Sequence, residues 1–242
     1  MKICVAQTKP VTGNIEQNII RHKEFIRLAA SLGADIIVFP ELSLTSYEPA
    51  LAKALAVDIH DHRLDDFQTI SNAKKITIGA GIPVRTKKGI TIGMIVFQPH
   101  HERLLYAKRY IHPDEEEFFI PGQNFPAINV AANTIALAIC YEPSVPAHAA
   151  EAFTTGAGIY IASVVKFMNG IDKATQRLSE IARTQGVFTL MSNCIGHADG
   201  SICAGKTAAW NTQGVLLAQL DESSEGILLL DTETTGCTLQ TL

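Results

Sequence analysis

The sequence predicts an α/β protein: two mixed sheets packed together, with helices on the outside. Three observations lead there. Short apolar runs of strand character alternate with stretches of helical periodicity. The alternation then gives way to strands joined by turns, which mixes antiparallel with parallel pairing. The order β-α-β-α-β-β occurs twice, once in each half, although no sequence repeat is visible. No linker separates the halves, so residues 1–242 are expected to form one domain. A chain of this length with 47% hydrophobic residues buries a substantial core and is not disordered.

The elements follow in order. Residues 3–7 are a short apolar strand. Asn14 can cap a helix, with Gln17 as its capping-box partner. Ile15, Ile19, His22, Ile26 and Ala29 then share one helical face, and Gly33 is a natural stop. Residues 35–39 are a buried strand closed by Pro40. A second helix is expected near 61–74, then strands at 76–82 and 90–98 around the charged turn 85–89. A strand at 103–107 is placed to pair with the second of these. An acidic loop follows over 112–126. The plan restarts with a strand at 134–140, a helix at 145–155, a strand at 158–163, a helix at 172–185 and a strand at 187–193. Three more strands are expected near 207–210, 215–220 and 226–231.

Charge and cysteine usage narrow the function classes. Twenty Lys and Arg against 24 Asp and Glu leave a net charge of −4. That gives no basic field for a phosphate backbone, so no nucleic-acid partner is expected. No apolar run approaches the roughly 20 residues that span a bilayer, and the N-terminus lacks the shape of a signal peptide. No membrane partner is expected either. Cys4, Cys140, Cys194, Cys203 and Cys237 are odd in number and form no CxxC pair. Neither a disulfide framework nor a metal site is expected, and a cytoplasmic setting fits best.

Four positions could carry chemistry. Cys140 ends a strand just before a helix, where backbone N–H groups can stabilise a thiolate or an oxyanion. The alternative is a small core residue. Glu41 follows a buried strand through Pro40, at the carboxyl end where α/β sheets place ligands. Burial there would raise its pKa and suit it to proton transfer; otherwise it is a cap or a surface glutamate. Lys108 closes a strand, and is either a solvated charge or a cation beside a developing oxyanion. Glu115, Glu116 and Glu117 form an acidic run ahead of Phe118-Phe119-Ile120-Pro121-Gly122, so one of the three could face inward. None of the eight histidines has the context of a triad base.

Order and context together resemble the carbon–nitrogen hydrolases of the nitrilase superfamily. The residues that carry the resemblance are Phe39-Pro40-Glu41-Leu42 with Thr45-Ser46-Tyr47; Tyr106-Ala107-Lys108 with Ile111-His112-Pro113; and Ile139-Cys140-Tyr141-Glu142. Arg183, Asn193 with Gly196, and Gly205-Lys206-Thr207 support it. The resemblance implies a four-layer αββα sandwich and a homodimer or larger homo-oligomer. It assigns Cys140 as nucleophile, Glu41 as general base and Lys108 as oxyanion-stabilising cation. Glu115, Tyr47, Tyr141 and Glu142 would position a small-molecule amide substrate, and no cofactor is implied.

The chain also departs from that pattern. Residues 143–148 lack the arginine that could bind a substrate carboxylate, and the strand after Gly158 leads into Ser163-Val164-Val165-Lys166-Phe167 without the aromatic residue frequent nearby. The leading expectation is a cysteine amidase acting on a small linear amide or carbamoyl compound. A nitrilase proper and a noncatalytic scaffold on the same fold are the alternatives.

Overall fold

A computed structural model describes residues 1–123 and 127–242; the end of the acidic loop, residues 124–126, lies outside them. The chain runs β1 (Lys2–Gln7), α1 (Ile15–Ser31), β2 (Ile36–Val38), α2 (Ala52–Leu55), α3 (Asp65–Lys74), β3 (Thr77–Arg85), β4 (Ile90–Phe97) and β5 (Leu104–Ala107). It continues through β6 (Ile128–Val130), β7 (Asn133–Ile139), α4 (Pro146–Phe153), β8 (Ile159–Ser163), α5 (Ile171–Gln185) and β9 (Phe188–Ser192). It ends with β10 (Ile195–Ala198), β11 (Ser201–Ala204), β12 (Ala208–Trp210), β13 (Leu216–Gln219), β14 (Gly226–Asp231) and β15 (Cys237–Thr241).

Alternation along the strands builds the layers. A strand sends successive side chains to opposite faces. In β1, Ile3 and Val5 join one apolar cluster, while Cys4 and Ala6 join another. The first cluster also takes Ile135, Leu137, Ile159, Ile161 and Leu190 from the other sheet, so it is the seam between sheets. The second lies under Phe25 and Ile26 of α1 and Phe67 of α3. A third lies under Leu178, Ile181 and Ala182 of α5 and Ala152 of α4. Three cores between four layers make the αββα sandwich. Asn14 caps α1 as expected, its side chain accepting from the Gln17 N–H at 3.0 Å.

The two halves do not map one to one onto the two sheets. One sheet has the order β15-β14-β1-β2-β3-β4-β5 and the other β13-β12-β9-β8-β7-β6. The run at 226–231 therefore leaves its own half, and β14 pairs antiparallel with β1 from Lys2↔Asp231 to Gln7↔Gly226. The remaining pair, β10-β11, is a separate hairpin.

The sheets are stitched together at their strand ends. The Ser163 hydroxyl, ending β8, donates to Phe39 O at 2.8 Å, and the Ser192 hydroxyl, ending β9, donates to Ala6 O at 2.7 Å. The first bond, with β7 paired to β8 through Ile139↔Ser163, brings the carboxyl ends of β2 and β7 to one place, which is where Glu41 and Cys140 follow.

Candidate active site

Glu41 sits in a turn that depends on a close backbone approach. A Cβ on Gly81 would lie 2.5 Å from both Leu42 N and Pro40 O, so only glycine lets this turn fold onto β3. The turn is pinned by the Leu44 N–H donating to Gly81 O at 3.0 Å and the Ser43 N–H to Pro40 O at 3.1 Å. His22 of α1 supports it from behind: its Nε2 lies 2.9 Å from the Ser43 hydroxyl and its Nδ1 2.7 Å from Asn18 O. Burial pushes the His22 pKa down to about 3, so the ring is neutral.

That depression has a stability consequence. Below pH 6.5 the unfolded chain takes up a proton at His22 and the native chain does not. Stability from this group is complete above 6.5 and falls with pH toward 3, by about 1.4 kcal/mol per unit. Denaturant titrations at pH 6.5 and 4.5 should therefore differ less for His22→Gln than for the parent. Equal pH slopes would exclude the effect.

Lys108 follows β5 and is fully buried. Its N–H donates to Ile92 O at 2.9 Å, and its carbonyl accepts from the Gly122 N–H at 2.7 Å. A Cβ at Gly122 would come 2.2 Å from Ala107 O, so glycine there lets the loop come down against this strand. The ammonium donates to Glu41 Oε1 at 2.9 Å and to Glu115 Oε1 at 2.7 Å. Burial works against its charge, but Glu41, Cys140 and Glu115 outweigh it and hold the lysine above its usual pKa.

Glu115 is the inward member of the acidic run; Glu116 and Glu117 are exposed. Its Oε1 also accepts from the Tyr47 hydroxyl at 3.0 Å, and its Oε2 from the His112 N–H at 2.9 Å. Tyr47 is half-buried with its ring against Phe167, centroids 6.5 Å apart. Burial, then the carboxylates of Glu41 and Glu115, raise its phenol well above the usual range.

Cys140 stands in a left-handed backbone conformation, φ 45°, directly after β7. Its N–H donates to Ser163 O at 3.0 Å. The residue is half-buried, and its thiol donates to Val165 O at 3.3 Å. Burial, then Glu41, push the thiol up, while Lys166 and Lys108 pull it down. Burial also raises Glu41, against the pull of Lys108. Glu41 Oε2 is buried and, among the described residues, receives no hydrogen bond. An orphaned carboxylate oxygen is costly unless it has work to do; here it is a vacant acceptor on a group that already interacts with Cys140.

Two expected substrate-positioning residues take other places. The Tyr141 ring packs edge-on against His112, centroids 5.1 Å apart. Glu142 is fully buried and its oxygens are engaged by protein donors, Tyr106 and three backbone N–H groups. It therefore corrects the expectation of a substrate-facing carboxylate: the turn after Cys140 folds it inward. Sequence reasoning missed the support of Glu41 by His22 and Ser43. It also missed Asn193 as a clamp, which accepts the Lys166 N–H at 2.8 Å and donates to Lys166 O and Gly205 O. His148 is fully buried between Tyr106 and Tyr160. Among the described residues no cluster of three or more His, Cys, Asp and Glu side chains could hold a metal ion, and no helix is long and apolar enough to cross a membrane.

Comparison with known proteins adds the family. Residues 2–237 match the family "Carbon-nitrogen hydrolase". Two curated relatives are glutamine-dependent NAD(+) synthetases: from Acinetobacter baylyi, 24% identical over 93% of this chain, and from Thermotoga maritima, 22% identical over 96%. The chain spans 42% of the length of each. Among solved structures, NitN amidase from Nesterenkonia sp. AN1 superposes with a TM-score of 0.84 at 21% identity, covering 96% of this chain and 92% of that one. A mutant of that amidase, described as from the nitrilase superfamily, gives 0.85 at 20% identity, covering 96% and 91%. With the sandwich, the buried Glu-Lys-Glu cluster and a cysteine on the adjoining strand end all in view, a match over nearly the whole chain has one reading: the chain belongs to the carbon–nitrogen hydrolase family and is an enzyme of that class.

Proposed function

We propose that the enzyme is an amidase that cleaves a small linear amide or carbamoyl compound through a thioester on Cys140. The observation that carries this reading is the Lys108 ammonium held between Glu41 and Glu115 while Glu41 Oε2 is unbonded among the described residues. A resting thiol is neutral and poorly nucleophilic. As sulfur attacks the amide carbonyl, its proton passes to Glu41. The oxyanion is met by Lys108 and the Tyr141 N–H. Glu41 returns the proton to the departing ammonia or amine, then takes one from water as the water attacks the thioester. The acid leaves and the thiol is restored. Glu115 and Tyr47 keep Lys108 aimed, and substrate enters over the half-buried Cys140.

Glutamine enters the candidate substrates because the curated relatives are glutamine-dependent synthetases. The test is ammonia release from glutamine, short aliphatic amides, carbamoyl compounds and nitriles. At least one amide should turn over with an acid limb of kcat/KM above the ordinary glutamate value of 4.5, because burial raises Glu41. Turnover of a nitrile with no amide hydrolysed would replace the reading with a nitrilase. Assembly as a homodimer belongs to the same proposal, carried by the family resemblance alone.

A further inference from the structure

We propose that Glu142 is a positioning residue: one buried carboxylate that locks the Cys140 turn to the Lys108 strand end without touching substrate. The inference rests on the amidase reading above. Two edges meet at this side chain. Among the described residues, β6 pairs with β7 from Val130↔Asn133 to Ile128↔Ile135 and no further, so beyond Ile135 no described strand lies on that side of β7. On the other side, β8 takes the Cys140 N–H. The Ile139 N–H points away from β8 and needs an acceptor. Glu142 Oε2 supplies it at 2.7 Å, three residues on in the same chain.

The same carboxylate reaches the other sheet. Its Oε2 also accepts from the Tyr106 hydroxyl at 2.7 Å. Its Oε1 accepts from the Arg109 N–H at 2.6 Å and the Tyr110 N–H at 3.4 Å. Tyr106 and Arg109 flank Lys108 at two and one residues' distance. Glu142 thus gathers donors on both sides of the cation and one residue before the nucleophile. His148 braces the arrangement from the core, Nε2 lying 2.9 Å from the Tyr106 hydroxyl and Nδ1 3.0 Å from the Tyr160 hydroxyl.

Among the described residues the carboxylate oxygens meet N–H and O–H donors and the His148 ring, which suits an ion and no other side chain of this shape. Burial works against the charge, but His148, Tyr106 and the Ile139 N–H outweigh it and hold Glu142 below its usual pKa. Glutamine keeps the volume but turns an NH₂ toward N–H donors. The Cys140 turn, in its left-handed conformation, then loses the anchor that registers it against Lys108. Misplacing reacting groups by about 1 Å costs on the order of 10²-fold in rate.

The experiment compares Glu142→Gln with the parent in thermal unfolding, in kcat and KM for several chemically different amides, and in the rate at which iodoacetamide alkylates Cys140. The proposal expects a folded variant with kcat reduced about 10²-fold by the same factor for every amide, KM within about threefold, and slower alkylation at Cys140. A folded variant with unchanged kcat would make Glu142 merely structural. A loss confined to KM, or to one class of amide, would make it a substrate contact; either result overturns the proposal. Should Glu142→Gln fail to fold, Tyr106→Phe removes one anchor and leaves the carboxylate. It should lower kcat about tenfold at unchanged KM; full kcat there overturns the proposal. If the parent hydrolyses no amide, the amidase reading fails, and alkylation still decides this one: slowed labelling of Cys140 in the variant supports it, equal labelling rejects it.

Discussion

Cys140→Ala is expected to remove amide turnover by about 10⁴- to 10⁶-fold, the scale reached when a covalent nucleophile is deleted from an otherwise intact site. The fold should survive. Cys140 is half-buried, and alanine gives up the thiol's bond to Val165 O. Its N–H still donates to Ser163 O, and Glu142 still holds Ile139. Unfolding midpoints should therefore stay within about 1–2 kcal/mol of the parent, the ordinary range for such a truncation. The measurement is ammonia release against folded concentration, with intact mass to detect an acyl group on the parent alone. Residual turnover above roughly one hundredth of the parent would remove the thioester from the mechanism.

How far the sequence carried this site varies by residue. Glu41, Lys108 and Cys140 stood out as candidates because each follows a strand end, where α/β sheets place ligands, but each kept a bland alternative that only the resemblance of order and context to one family set aside. The helix cap at Asn14 was legible because capping is local chemistry. What stayed hidden depends on neighbours distant in the chain. Glu142 looks like any glutamate after a strand until Tyr106, 36 residues earlier, is seen against it. Glu115 could not be told from Glu116 and Glu117, because one step in a tight turn reverses direction; the His112 N–H and Lys108 choose it. β15 (Cys237–Thr241) escaped notice because its pattern is polar and mostly exposed. Its pairing with β14 is backbone hydrogen bonding at a sheet edge, which composition does not announce. The β10-β11 hairpin was missed similarly, with His197 and Ile202 left exposed.

Lys108→Met should be the most damaging single change, because it strikes stability and chemistry together. With the ammonium gone, Glu41 loses the donor to its Oε1, while Glu115 keeps the Tyr47 hydroxyl and the His112 N–H. Breaking a buried ion pair by removing one partner typically costs about 3–5 kcal/mol, since an uncompensated charge stays behind. The chain can escape by protonating Glu41, whose pKa burial already raises. The variant should therefore be weakest at high pH and regain stability as pH falls through that raised value, the sign expected when the native state holds the extra proton. Adding Glu41→Gln removes the stranded carboxylate, so Lys108→Met/Glu41→Gln should recover most of the lost stability. It should recover none of the activity, because the oxyanion has lost its cation and the thiol its base. Chemical denaturation of the parent, the two single variants and the double variant closes the cycle. If the second substitution restores nothing, or if Lys108→Met alone unfolds no more easily than the parent, the ammonium does not hold the two carboxylates together.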